Sequence, residues 1–488
     1  MAQSLTSATG RSRSLPVTVA TVAAVVVAGT LATVSGMTAA GASIDKRALV
    51  LPLAAGAGLL LGIVALTRFQ VYVLLLLASR SVMDLTKLSQ RAAGNTASTG
   101  VARALDPTAL IGATFLGLAA LWLLAQLHQR GRLFGSALRR AFLLFGVSVL
   151  ASVLPSTHKT SAAAEGARIL AVVAMFIVIE ELCLDLKTVR RVIAACFASL
   201  VLPVLITLGG FAIGAPRAET KGAFTRILGT YQQSNDFGRY LMLFIIMGIA
   251  LYPHLARPWR LLLTLVLPVL GTFLLLTYTR TALVATVLGL LVVGILQSKR
   301  VLVGLAVGMV LLLALVPAMA SRFTDLATTT TSSSGTTSTN SLAWRLDYWT
   351  DVLPLANRSP ILGIGINETQ FSTDRAKQPH NDFVRAYVET GVVGLIAYTA
   401  LLVAMLALGR RATRVTEPGT FERGLAVGFL GIAIAVFAVS MAANVISNVA
   451  TLWYVFAFAA CTSAVVRLKT AEATVALPAA PAPTAAPG

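Results

Sequence analysis

The residues with the type and setting to act on an anionic substrate are His380 and a recurring set of arginines that includes Arg226, Arg280 and Arg345. His380 is one of four histidines in the chain, and it stands between Pro379 and the pair Asn381-Asp382, just before an apolar helical run. Asn381 is a good N-cap residue, so His380 is expected at the positive end of a helix dipole. That end disfavours the imidazolium, and neutral imidazole is what a general base requires. A loop histidine that only hydrogen-bonds the backbone would have the same spacing. Asp382 is near enough in sequence to orient the ring. Glu389 lies about 13 Å further along a helix axis, too far to touch it, and is expected to pack near Gly391 and Gly394 at the membrane edge.

Arg280 begins a helix within Thr279-Arg280-Thr281, between two apolar runs. A cation there opposes the dipole. Snorkelling to the membrane surface explains one such residue, but not the recurrence of Arg217, Lys221 and Arg226 in one loop and of Arg80 and Arg103 earlier. The planar guanidinium fork suits phosphate, so these arginines suggest a lipid-linked phosphate or diphosphate. For Arg345 an ion pair with Asp347 or Asp351 is an equal account. No metal is expected: no second histidine lies near His380 and there is no Asp-x-Asp pair. No cofactor is expected either.

These residues are punctuation in a greasy chain. Of 488 residues, 57% are hydrophobic and 12% charged, roughly half the charged fraction of a soluble protein. Apolar stretches long enough to cross a bilayer recur, so the fold class is an all-α polytopic membrane protein. Fourteen runs qualify, near 15–37, 48–67, 69–85, 108–127, 139–155, 164–184, 190–213, 237–253, 260–278, 281–297, 300–319, 388–409, 424–443 and 446–467. The third is marginal because its apolar core ends at Ser79-Arg80. The net charge of +20 would suggest nucleic acid in a soluble protein, but here it concentrates in short loops, where it sets orientation. Lys299-Arg300 and Arg410-Arg411 each lie one helix from the central polar island, which puts residues 320–387 outside and both termini inside. Residues 1–14 and the Ala/Pro-rich tail from 468 read as disordered cytoplasmic ends. The run at 15–37 exceeds the length of a signal-peptide core and reads as a retained span. Cys183, Cys196 and Cys461 offer no disulfide framework or metal spacing.

In the outer loop a Ser/Thr-rich connector over 327–340 leads to a predicted helix. There Leu342, Leu346, Trp349 and Leu353 share one face, as in a helix lying along a membrane surface.

Taken together, the motifs resemble the O-antigen ligase and polymerase family of bacterial envelope enzymes. The carriers are Arg226 to Phe237 (RILGTYQQSNDF), Thr279-Arg280-Thr281, Trp344-Arg345, Pro360 to Gly365 (PILGIG), and His380-Asn381 followed by Glu389-Thr390-Gly391 and Gly394. The resemblance covers roughly residues 200–410. It implies a fold like that of metal-independent membrane glycosyltransferases of about twelve spans, with an undecaprenyl diphosphate-linked glycan as donor and a glycan, lipid or protein as acceptor, at the outer face of the cytoplasmic membrane. It also implies that His380 is the base, that Arg226 and Arg280 hold the diphosphate with Arg345 a third, and that Asn381, Asp382 and Glu389 support them. A single displacement would invert the anomeric centre.

A lipid-linked glycan flippase is the alternative from another class. Transporters keep ionisable groups at mid-membrane, whereas Arg168, Glu180, Glu181 and Arg239 lie near the ends of their runs. The motifs do not separate polymerase from ligase, nor name the sugar.

Overall fold

A computed structural model describes residues 60–87, 107–221, 224–315, 341–374 and 377–475. The expected first span, most of the second, the Ser/Thr-rich connector and the chain beyond 475 lie outside the described residues. The described chain falls into two units. The first, to Leu76, contributes helical turns at 60–67 and most of the helix Phe69–Ser79. All that follows concerns the second, from Leu77.

The architecture is all-α and polytopic. Among the described residues eight helices are long and apolar enough to cross a membrane, and Arg280–Leu296 is a shorter apolar helix. The first of the fourteen expected runs and most of the second lie outside the described residues, and helix length accounts for others. Phe69–Ser79 is only 11 residues long and passes into a 3-10 helix, Arg80–Lys87. There Arg80 pairs with Asp84 at 3.3 Å and the Ser81 hydroxyl donates to the Ser199 carbonyl. Ala137–Ala151 is 15 residues long and Lys299–Leu315 is 17. The run at 190–213 is two helices, Leu186–Ala198 and Val201–Ala212, counted as one crossing.

The most buried part of the bundle is built by Ser234–Leu251, Phe421–Ser440 and Val449–Val475. Tyr240, Phe244 and Tyr454 meet there with ring centroids 4.8–5.4 Å apart. Glycines let backbones approach closely, as expected where lipid supplies no hydrophobic drive between helices. A Cβ on Gly289 would sit 3.1 Å from the Gly431 carbonyl oxygen, and one on Gly409 would sit 3.0 Å from the Leu430 Cα.

Charge gathers at the two ends of the bundle. At one end Arg139 bridges Glu180 and Glu181, both at 2.7 Å, and Arg467 donates to the Glu180 and Cys183 carbonyls. This end also corrects the expected tail. Leu468 to Val475 continue the helix Val449–Val475, because Arg467 anchors it, Lys469 pairs with Glu472 at 2.8 Å, and the Thr470 hydroxyl bonds back to Val466. The other end holds the candidate site.

Candidate functional site

Three elements bring their N-terminal ends to this side: Ser234–Leu251, Arg280–Leu296 and the kinked helix Asp382–Val415. Such ends carry unsatisfied N–H groups and partial positive charge, a setting that favours anions.

Arg226 comes from a two-stranded hairpin, Ala218–Lys221 with Phe224–Ile227, where it pairs with Glu219. It is buried. Its Nε donates to the Thr277 carbonyl at 2.7 Å, and one Nη donates to Asn235 Oδ1 at 2.6 Å and Thr279 Oγ1 at 3.1 Å. Arg226 therefore ties the hairpin, the start of the Ser234–Leu251 helix and the turn before Arg280 into one unit. That turn is tight: Tyr278 has φ +49°, and a Cβ on Gly238 would sit 3.0–3.1 Å from the side chains of Thr277 and Thr279.

Arg280 opens the next helix, half-buried. Arg345, on the helix Ser341–Val352, lies within electrostatic reach of it. Burial lowers the Arg345 pKa, and the nearby positive charges of Arg280 and Arg239 lower it further. Two further guanidinium groups are thus within electrostatic reach of Arg345, one of them, Arg239, ion-paired with Asp236. Like charges this near one another favour an anion between them.

Arg239 is the functional candidate that the sequence reading passed over. It is buried, its Nη1 reaches Asp236 at 3.2 Å and the Asn444 carbonyl at 3.4 Å, and its Nε has no hydrogen-bond partner. A buried donor left unpaired costs about 1–3 kcal/mol. Its position one helical turn past Asp236 was the available signal, but an i,i+3 surface pair has the same spacing.

His380 has φ +55°, a left-handed conformation that is uncommon outside glycine. The ring lies 6.0 Å from Trp344, edge to face, and its Nδ1 is 3.3 Å from the Asn444 side-chain amide nitrogen. Asn444 Oδ1 is buried without a partner. The tautomer of the ring and the orientation of that amide decide which of the two donates. Asn381 caps the following helix, its Oδ1 accepting from Phe383 N at 2.9 Å and Val384 N at 3.2 Å.

Asp382 corrects its sequence reading. One carboxylate oxygen accepts from Val445 N at 2.9 Å and from the Tyr398 hydroxyl at 3.0 Å, and the other from Ile446 N at 3.3 Å. It holds the 444–446 turn, and with it Asn444, so it acts on the imidazole through that turn. Glu389 is also more than a polar group at the membrane edge. It is fully buried, with Arg385 Nε at 2.8 Å, Asn367 N at 2.8 Å and the Thr369 hydroxyl on its carboxylate. Arg385, itself fully buried, also meets Glu165 at 3.5 Å.

The PILGIG turn is locked into the kink of the Asp382–Val415 helix. Ile364 N donates to Val388 O, Gly365 N to Glu389 O, and Val392 N to Pro360 O, at 2.9, 3.1 and 2.9 Å. Gly391 makes the kink with φ +68°, ψ −170°. The Ser341–Val352 helix packs on this unit through Tyr348 and Val352, against Leu355, Ile364 and Val388. Trp349 donates its indole N–H to the Pro379 carbonyl at 2.8 Å. Leu346 and Leu353, from the expected apolar face, stay exposed.

The structure thus places basic side chains and an imidazole at one end of a polytopic helical bundle. Residues 262–399 match the family model described as O-antigen ligase, and the matched segment includes Arg280, Arg345, the PILGIG turn, His380 and Glu389. Arg226, Arg239 and Asn444 lie outside that segment. No curated protein matches the chain.

Proposed function

We propose that the protein transfers a glycan from an undecaprenyl diphosphate-type donor to an acceptor hydroxyl at the outer face of the cytoplasmic membrane, without a metal ion and with inversion. The observation that carries this reading is that Asn444 touches both Arg239, whose buried Nε is unpaired, and His380, with Arg280 and Arg239 within electrostatic reach of Arg345. An anion of two or more charges suits a set of guanidinium forks of this kind.

Arg280, Arg345 and Arg239 bind the diphosphate. Arg226, with its Nε and one Nη already engaged, positions Arg280. The His380 imidazole takes the proton of the acceptor hydroxyl as that oxygen bonds to the anomeric carbon. The bond from the anomeric carbon to the phosphate oxygen breaks, and its electron pair leaves with the diphosphate. The guanidinium groups stabilise the developing charge. The loop at 320–387 lies outside and both termini inside.

The test is transfer from a purified lipid-linked donor, with donor binding measured separately and a chelator present. His380→Gln is expected to lose about 10²–10⁴-fold in rate and to keep donor binding. Arg280→Lys retains charge but not the fork, and is expected to weaken both. Near wild-type turnover in His380→Gln would remove the histidine from the reaction, and loss of wild-type activity on chelation would overturn the metal-independent mechanism.

A further inference from the structure

A cavity of about 230 Å³ lies beside the arginine cluster, lined by Arg168, Gln232, Gln233, Asp236, Asn448 and Trp453 among others. About 10–15 Å³ suffices for one water, so the space suits a ligand. Its walls come from parts of the chain outside the O-antigen ligase match at 262–399.

The charge balance separates it from the diphosphate site. Each charged group of its wall has an opposite partner: Arg168 with Glu165 at 3.3 Å, Arg80 with Asp84 at 3.3 Å, and Asp236 with Arg239 at 3.2 Å. What the cavity offers a ligand is polar without net charge. It has the side-chain amide of Gln233, that of Gln232, which also donates to the Asp84 carbonyl, that of Asn448, which also donates to Asp236 and accepts from Thr451 N, and a large aromatic ring. Trp453 is 2% exposed and its indole N–H has no hydrogen-bond partner. The Arg80 guanidinium lies 5.7 Å from the ring centroid. Planar amides can pair with neighbouring hydroxyls at two points, and an indole gives an apolar face with one donor. That combination suits a neutral polyhydroxylated ring and gives a phosphate no free cation.

The wall is also preorganised. Glu165 links Arg168 to the fully buried Arg385, and the Ser447 hydroxyl bonds to both Glu165 and Gln378. The Asp236 carboxylate that faces the cavity accepts from Asn448 at 3.1 Å and from Arg239 at 3.2 Å, which connects the cavity to the arginine cluster.

We propose that this cavity is a sugar subsite that holds one neutral ring of the glycan next to the reacting bond. The assignment deepens the glycan-transfer reading and rests on it for the identity of the bound chain. The ring can belong to the donor or to the acceptor.

The test uses the full chain in lipid nanodiscs with two variants. Gly112 lines the cavity, and a Cβ there meets only the Ala171 Cβ at 3.9 Å, so Gly112→Leu fills the space. Trp453→Phe keeps a ring and removes the unpaired donor. The first readout needs no catalysis: saturation-transfer NMR with methyl glycosides of glucose, galactose, mannose and rhamnose. At least one glycoside is expected to show transfer to the wild type. That signal is expected to drop about tenfold in both variants, on the scale of one or two lost hydrogen bonds, with binding of sugar-free undecaprenyl diphosphate unchanged. Absence of transfer from every glycoside, or equal signals in wild type and Trp453→Phe, overturns the subsite. The second readout is KM in the transfer reaction. A rise for the lipid-linked donor alone assigns the ring to the donor, and a rise for the acceptor alone assigns it to the acceptor. If the wild type binds glycosides in a Gly112→Leu-sensitive way but transfers no glycan, the subsite stands and the transfer reading falls.

Discussion

Replacing Gly391 by alanine tests whether the helix kink assembles the site. Gly391 adopts φ +68°, ψ −170°, a region that is essentially glycine-only and costs an L-residue about 1–3 kcal/mol. A Cβ there would sit 2.1 Å from the Ile361 carbonyl oxygen and 2.7 Å from Gly363 N. Those are backbone atoms, so relief requires the PILGIG turn to move. Moving it breaks some of the backbone hydrogen bonds that dock it, Val393 N to Ile361 O at 3.4 Å among them, each worth about 0.5–1.5 kcal/mol. Strain and lost bonds together set roughly 2–6 kcal/mol against docking. The docked turn carries Asn367 and Thr369 to Glu389, and Ile364 into the cluster under Trp344 and Tyr348. Gly391→Ala is therefore expected to lower the unfolding temperature, to open residues 360–371 to proteolysis, and to lose glycan transfer. Gly117, within Pro107–Arg130, is the control: nothing lies within 4 Å of its added Cβ, so Gly117→Ala should be neutral or stabilise by up to about 1 kcal/mol. A Gly391→Ala protein with wild-type unfolding temperature, proteolysis pattern and transfer rate would refute the docking argument.

Three further expectations follow from the same structure and sequence. A cysteine at Ser334 in the Ser/Thr-rich connector should react with an impermeant thiol reagent in intact cells, and labelling only after permeabilisation would reverse the topology. Asn444→Asp should strengthen the hold on an Nδ1–H and raise the pH at which transfer turns on, because a neighbouring carboxylate favours the imidazolium; an unmoved pH profile would detach Asn444 from the base. Glu368 is raised by burial, but hydrogen bonds from Thr157, His158 and Ser156 outweigh this and hold its carboxyl below the ordinary glutamate range. Its folded pKa is thus depressed, so the contact contributes stability at neutral pH and loses it as pH falls through that lowered value. Hydrogen exchange of residues 366–373 should accelerate there in the wild type, and a Glu368→Gln variant that keeps the same acid response would assign the effect elsewhere.

The sequence by itself determined the fold class and much of the helix placement. Apolar run length and the bilayer's demand for internal backbone bonding leave little freedom, and runs such as 237–253 and 260–278 closely track the helices Ser234–Leu251 and Arg257–Leu276. Asn381 was legible as a cap because capping is a rule of local chemistry, and its Oδ1 does accept from Phe383 and Val384. Where a run ends as a helix is not legible in composition, and among the described residues the run near 69–85 divides into an 11-residue helix and a 3-10 helix. The 3-10 turns at Arg80 depend on partners such as Ser199, 118 residues away from Ser81. The roles of the charged residues needed tertiary structure throughout. Arg226 and Arg280 look alike as outer arginines, yet the first has its Nε and one Nη taken up by Thr277, Asn235 and Thr279. Arg239 looked like half of a local pair, yet folding leaves its Nε buried and unpaired. Asp382 adjoins the histidine dipeptide in sequence, but its carboxylate reaches across to Val445 and Ile446, while Asn444, 64 residues from His380, meets the ring. Hydrogen-bond satisfaction is a property of the assembled neighbourhood, and in this bundle the partners come from helices that only the packing brings to one end.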